Sequence, residues 1–134
     1  MDDLYVIGQQ CLERIVRYHY DIDRGAATEG IGNFVDHAVF EAHGELYEGR
    51  EAILGFLRKR EANQARKTVH VITCPRFGRT EDGDIEVGAI GLINVQGEDG
   101  VFTCSRVLDL VHSFEGTPNG WLIKARRSKP LHHR

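Results

Sequence analysis

One histidine, His70, lies in a run of β-branched residues that is typical of a strand. It follows Val69 and precedes Val71 and Ile72, so it belongs to an apolar segment. A neutral imidazole in such surroundings can take a proton from carbon or oxygen near neutral pH. The same pattern equally fits a core histidine bonded to a backbone carbonyl, so these residues alone leave both roles open.

Two aspartates at the end of a predicted helix could supply a carboxylate to this histidine. At about 100° per residue, Asp23 lies about 80° from Ile15, on the flank of the apolar face, and Asp21 lies about 120° away on the other side. The spacing favours Asp23 and keeps Asp21 as the alternative. Such a carboxylate would orient the imidazole and raise its basicity. Its other role would be to bond local backbone in a turn, although the helix dipole disfavours an acid there.

Hydrogen-bond donors for a substrate oxygen are available from three tyrosines, Tyr18, Tyr20 and Tyr47. Packing with the hydroxyl group in water is the commoner role for any one tyrosine. Arg106, on a predicted strand, could hold an anionic substrate group, or it could pair with an acidic neighbour.

The first half of the chain must supply the helices that position these groups. Apolar residues at helical spacing predict a helix over about residues 3–22, with Asp2 or Asp3 as its cap. A short helix over 26–34 and a strand over 38–43 follow, and an amphipathic helix begins after Gly49.

The second half has the two-residue period of strands. Four long strands joined by short polar turns predict an antiparallel meander, over 68–77, 85–95, 101–114 and 121–127. Helices first and strands after indicate an α+β fold. Gly88 and Gly91 indicate that the sheet bends. Helices that close a curved sheet leave a concave apolar interior, where small-ligand sites usually lie.

Composition limits the class of protein. The chain has 134 residues, 41% of them hydrophobic, and this length predicts one domain over residues 1–134. A net charge of -3 argues against nucleic acid as the partner. No run is long enough to cross a bilayer, and the acidic start is unlike a secretory signal. Three cysteines without metal-type spacing predict reduced, mostly buried thiols in the cytoplasm, and no metal-binding motif is present.

The order and spacing of five segments resemble the SnoaL-like branch of the nuclear transport factor 2-like superfamily. Nearly the whole chain is covered. The segments are Arg17–Gly25, Phe34–Glu41, Tyr47–Ile53, Thr68–Thr73 and Gly120–Ile123.

This resemblance implies a cone-shaped α+β barrel and a homodimer. The superfamily includes polyketide cyclases, dehydratases, isomerases, ring-hydroxylating dioxygenase β subunits and plain binding proteins, so the fold does not fix the chemistry. Scytalone dehydratase and a dehydrochlorinase in this group place an aspartate near a strand histidine. The matching positions are Asp23 and His70, and Tyr20 matches a tyrosine of the dehydratase. By rough alignment, the second histidine of that enzyme falls near Asn94 or Gln96.

The resulting hypothesis is a cofactor-free lyase or isomerase that acts on a small hydrophobic ring-containing molecule. His70 would be the base, Asp23 its orienting partner, and Tyr20 or Tyr47 the donor to the substrate oxygen. The alternatives are a binding protein without catalysis and a structural partner of a ring-hydroxylating oxygenase. The acid for a leaving group stays unassigned.

Overall fold

The computed structural model describes residues 3–132. Its helices are α1 (Leu4–Asp23), a 3₁₀-helix (Ala27–Asn33) and α2 (Arg50–Ala62). Its strands are β1 (Phe34–Ala42), β2 (Glu45–Glu48), β3 (Thr68–Arg79), β4 (Ile85–Gln96), β5 (Phe102–Thr117) and β6 (Gly120–Pro130). These elements confirm the predicted mixed α+β class.

Helix α1 begins and ends at residues whose chemistry explains the boundaries. The Asp3 side chain accepts hydrogen bonds from the backbone N–H groups of Tyr5 and Val6, so it is the N-terminal cap. Asp2, the other predicted cap, lies outside the described residues. Beyond the C-terminus, Gly25 adopts a φ of 81°, which glycine reaches without strain.

The six strands form one curved, unclosed sheet in the order β2-β1-β6-β5-β4-β3. Strands β3 to β6 form the predicted antiparallel meander. Strand β1 pairs with β6 in parallel, which local periodicity does not reveal because the partners are far apart in sequence. The segment between the strand predicted over 38–43 and Gly49 contains the short strand β2.

Interruptions of strand register accompany the bending of the sheet. In β3 the pairing shifts between Thr73 and Arg76, and Cys74 there has a φ of 53°. The two glycines of β4, for which the sequence predicts a bend, also lie close to neighbouring side chains. A Cβ atom on Gly88 would lie 2.5 Å from the Arg76 side chain, and one on Gly91 would lie 2.8 Å from Leu110. The absence of a Cβ atom at these two positions leaves space for the side chains of Arg76 and Leu110 on the neighbouring strands.

The core lies between the concave face of the sheet and the helices. Ile15 and Tyr18 of α1 pack there with Phe34 and Phe40 of β1 and Leu57 of α2, and all five are at most 1% exposed. Burial of large aromatic and aliphatic side chains of this kind is the dominant favourable contribution to folding.

The thiols are arranged differently from the prediction. Cys11 is buried, and burial raises the pKa of its thiol to about 12. Cys74 and Cys104 are exposed, so the prediction of mostly buried thiols is wrong for those two.

The convex face of the sheet carries apolar side chains in contact with solvent, among them Val69, Val71 and Val107. The homodimer suggested by the resemblance stays a prediction. Across residues 3–132, no helix is long and apolar enough to span a membrane.

Candidate functional site

Asp23 and His70 meet where the last residue of α1 reaches the start of β3. The ring nitrogen Nδ1 of His70 lies 2.6 Å from Asp23 Oδ1, and the backbone N–H of His70 donates to Oδ2 at 2.7 Å. The side chains are only 12% and 14% exposed. Because an ionised carboxylate only accepts hydrogen bonds, we assign the ring proton to Nδ1. The lone pair of the imidazole is then on Nε2.

A third donor completes the environment of the aspartate. The Thr68 hydroxyl group donates to Asp23 Oδ1 at 2.8 Å. Burial raises the pKa of Asp23, but the hydrogen bonds from the His70 ring, the His70 backbone and Thr68 together hold that pKa below its usual value. These donors also explain how an acid is tolerated at a helix C-terminus, where the helix dipole opposes it.

His70 faces a cavity of about 90 Å³ on the concave side of the sheet. Its wall combines polar and charged side chains with the apolar side chains of Ile22, Phe40, Phe56, Ile93 and Leu108. Within residues 3–132, Nε2 of His70 has no hydrogen-bond partner, so it is the ring nitrogen available to a molecule in the cavity. The volume is below the roughly 300–1,000 Å³ of drug-sized ligand sites, so it suits a single-ring molecule.

Two more histidines lie near His70: His19 also lines the cavity, and the His112 ring lies 6.4 Å from the His19 ring. The His19 ring lies 5.0 Å from the His70 ring, and its Nδ1 lies 2.7 Å from the carbonyl oxygen of Ile15. His112 is fully buried, and neither of its ring nitrogens has a partner within the described chain. Burial lowers the pKa of both His19 and His112 far below the usual value, so both are neutral at pH 7.

Tyr18 and Arg126 are two of the residues with polar groups that line the cavity. Burial raises the pKa of Tyr18 to about 12, although nearby Arg126 opposes this. The phenol therefore stays protonated and can donate a hydrogen bond. The Arg126 guanidinium stacks over the Phe40 ring, 4.6 Å from its centroid.

Several predicted site residues lie away from this cavity. Tyr20 is 62% exposed and lines a groove of about 580 Å³ on the outside of α1, together with Asp21, which pairs with Arg24. Asp23, not Asp21, is therefore the carboxylate on His70. Tyr20 points outward because it lies about 140° from Ile15 at helical spacing.

Three other candidates are also outside the cavity lining. The Tyr47 hydroxyl group donates to Glu45 while its ring packs on Phe56. Asn94 pairs across the strands with the outward-facing Val69 and donates to its carbonyl oxygen. Arg106 is exposed and donates to Nδ1 of His43 at 2.6 Å. Of the three tyrosine candidates, Tyr18 alone lines the cavity.

Arg126 is one of the cavity residues that the sequence analysis does not propose. Plain alternation from the buried Ile123 puts Ala125 inside and Arg126 outside. Pairing between β5 and β6 shifts between Ser113 and Phe114, opposite Lys124, and this bulge turns Arg126 inward. The turn glycines and charges of the sequence carry no sign of this shift. Nowhere in residues 3–132 are three His, Cys, Asp or Glu side chains grouped so that they could hold a metal ion.

Comparison with known proteins agrees with this architecture. A family model described as a SnoaL-like domain matches residues 9–127. An NTF2-like protein with a cystatin-like fold from Novosphingobium aromaticivorans superposes with a TM-score of 0.82 at 22% identity, covering 100% of this chain and 94% of its own. No curated protein matches the chain in sequence.

Two Streptomyces proteins have the same fold at lower identity. Aln2 from a Streptomyces species gives a TM-score of 0.79 at 17% identity, with 97% of this chain and 92% of that chain covered. ActVI-ORFA from Streptomyces coelicolor gives 0.80 at 13% identity, with 91% and 95% covered. These likenesses concern the fold alone.

Proposed function

This chain belongs to the SnoaL-like domain family, and we propose that it is a lyase or isomerase that removes a proton from a small ring-containing molecule. The family includes polyketide cyclases and dehydratases. The observation that carries the proposal is the 2.6 Å contact between His70 Nδ1 and Asp23 Oδ1 at the wall of a partly apolar cavity.

In the proposed reaction, His70 is the general base. Asp23 accepts a hydrogen bond from Nδ1–H and leaves the Nε2 lone pair directed to the substrate. When Nε2 takes a proton from a carbon next to a carbonyl group, the ring becomes a cation, and the adjacent carboxylate stabilises it. The low pKa of Asp23 keeps that carboxylate ionised throughout.

Tyr18 takes the role that the sequence interpretation gave to Tyr20 or Tyr47. Its protonated phenol can donate a hydrogen bond to the carbonyl oxygen of the substrate. Negative charge develops on that oxygen when the electron pair of the C–H bond forms the C=C bond of an enolate. His70 then returns the proton to another carbon in an isomerisation, or to a departing hydroxyl group in a dehydration. Neither the isomerisation nor the dehydration needs a cofactor to balance its protons and electrons.

The alternative, a binding protein without catalysis, does not explain the hydrogen-bonded pair of His70 and Asp23. Such a protein would not need a carboxylate bonded to both the ring and the backbone of one histidine. The distance therefore supports catalysis over binding alone.

Deuterium exchange tests the proposal without knowledge of the natural substrate. Cyclohexanone and 3-oxocyclohexanecarboxylate in D₂O are the probes, and NMR follows loss of the protons next to the ketone. The wild type should accelerate exchange of at least one probe, and His70→Ala should lose about 10²-fold or more of that acceleration. His37→Ala removes an exposed histidine that also pairs with an acid, so it is the matched control. Exchange at the buffer rate, or full activity in His70→Ala, would contradict the proposal.

A further inference from the structure

Arg126 is a buried cation for which the proposed proton transfer has no use. It is 7% exposed and lines the cavity that contains His70. A buried guanidinium normally pairs with a carboxylate, because an uncompensated charge away from water is costly.

The hydrogen bonds of Arg126 leave much of its donor capacity free. Nη1 donates to the carbonyl oxygen of Glu41 at 3.4 Å and to the Ser128 hydroxyl group at 3.2 Å. Nε has no partner, and within residues 3–132 Nη2 has none either. Among the described residues, Arg126 forms no ion pair with an acid, and its strongest electrostatic neighbour is the Tyr18 phenol.

The rest of the cavity adds positive charge rather than cancelling it. Arg60 and Arg66 also line it, and none of its lining residues is an aspartate or glutamate. Arg60 is already bound to the Thr68 hydroxyl group and to two backbone carbonyl oxygens. The neighbouring carboxylate of Asp23 is engaged by His70 and Thr68. The buried anion that Arg126 lacks is therefore not supplied by the described chain.

We propose that Arg126 holds the carboxylate of a small single-ring acid whose apolar ring occupies the cavity. A carboxylate suits the planar, multiply donating guanidinium. The partly apolar wall and the volume of about 90 Å³ suit one ring. This assignment names the substrate class of the proposed function and rests on it only in using the same cavity. It replaces Arg106, the anion-binding candidate from the sequence, which is not a lining residue and donates to His43 of the cavity wall.

Calorimetric titration with matched acid and amide pairs tests this assignment. Benzoate is compared with benzamide, and cyclohexanecarboxylate with cyclohexanecarboxamide. The wild type should bind at least one acid about ten-fold or more tightly than its amide. Arg126→Gln should reduce that preference to within about two-fold. Arg127→Gln changes the next residue of the strand, which is exposed, and should keep the full preference.

Arg126 also packs on Phe40, so thermal melting must show that Arg126→Gln folds. If it does not fold, Arg126→Lys is tested instead, because lysine keeps the charge but lacks the planar guanidinium group. Its preference for acid over amide should be smaller than that of the wild type but still measurable. Equal binding of acid and amide by the wild type, no binding up to about 10 mM, or a preference lost in Arg106→Gln but kept in Arg126→Gln would overturn the proposal.

His70→Ala separates this inference from the proposed function. That variant should keep the acid preference although it loses deuterium exchange. Acid binding without exchange in the wild type would support Arg126 and contradict the lyase or isomerase. Deuterium exchange without a preference for acids would support the lyase or isomerase and contradict the role of Arg126.

Discussion

Two histidine–carboxylate pairs in this molecule have almost the same length and very different surroundings. His70 and Asp23 are 2.6 Å apart with side chains 12% and 14% exposed, whereas His37 and Glu115 are 2.8 Å apart with side chains 66% and 28% exposed. Of the two pairs, only the first borders the cavity. In water, an exposed pair contributes little to stability and does not direct a lone pair at a ligand.

Burial and additional bonds, rather than the pair itself, therefore distinguish the candidate site. Asp23 is fixed by three donors, and its carboxylate leaves the histidine one free nitrogen that faces a partly apolar wall. Glu115 reaches His37 from β5 at the surface through a single hydrogen bond. Matched substitutions in the two pairs can therefore test whether the His70–Asp23 pair is functional or only a close contact.

The largest contrast is expected from Asp23→Asn and Glu115→Gln. An amide at position 23 cannot neutralise an imidazolium, and it can hydrogen-bond to the other tautomer of His70, so proton exchange should fall by about 10²- to 10⁴-fold. Glu115→Gln should stay within about two-fold of the wild type. The exchange rates of the two variants measure the contrast. Similar losses in both would show that burial is not what matters.

A smaller contrast concerns pH and the buried histidines behind the site. Burial lowers the pKa values of His19 and His112 in the folded protein. On acidification these two histidines therefore bind protons in the unfolded chain before they do so in the folded chain. Their contribution to stability is complete above the unfolded pKa of about 6.5 and is lost as pH falls below it, by up to about 1.4 kcal/mol per pH unit for each histidine.

Denaturant unfolding of the wild type and His112→Leu between pH 7 and pH 5 measures this effect. The variant removes a buried imidazole that has no hydrogen-bond partner in the described chain, so it should lose stability less steeply on acidification. Parallel curves for the two proteins would show that His112 is not held neutral in the folded state.

The smallest contrast is between two threonine hydroxyl groups. Thr68→Val removes a part-buried donor to Asp23 and should lower the free energy of unfolding by about 1–3 kcal/mol. Thr117→Val removes an exposed hydrogen bond to the Gly120 carbonyl oxygen and should cost less than about 1 kcal/mol. Urea titration of both variants compares them. A larger loss at Thr117 would contradict the importance given to the bonds around Asp23.

The sequence predicts those features that depend on local periodicity. Helix α1 and strands β3 to β6 follow from apolar residues at helical and alternating spacing, and the same helical spacing separates Asp23 from Asp21. It also places Tyr20 on the outside of α1, and the resemblance-based choice of that tyrosine does not agree with the geometry.

Features that depend on partners distant in sequence could not be read this way. The parallel pairing of β1 with β6 joins segments from opposite ends of the chain. The bulge at Lys124 changes which residues of β6 face inward, so alternation along the strand does not predict that Arg126 is buried. His19 was missed as a neighbour of His70 because only the folded chain brings their rings to 5.0 Å.

The tautomer of His70 is the most direct test of the central claim that Asp23 fixes this imidazole as a base. Long-range ¹H–¹⁵N spectra of the ring nitrogens at pH 8 distinguish the two neutral forms. The arrangement predicts a proton on Nδ1 and an unprotonated Nε2 in the wild type, with a loss of this preference in Asp23→Asn. A proton on Nε2 in the wild type would contradict the account, because the free nitrogen could not then accept a proton from a substrate.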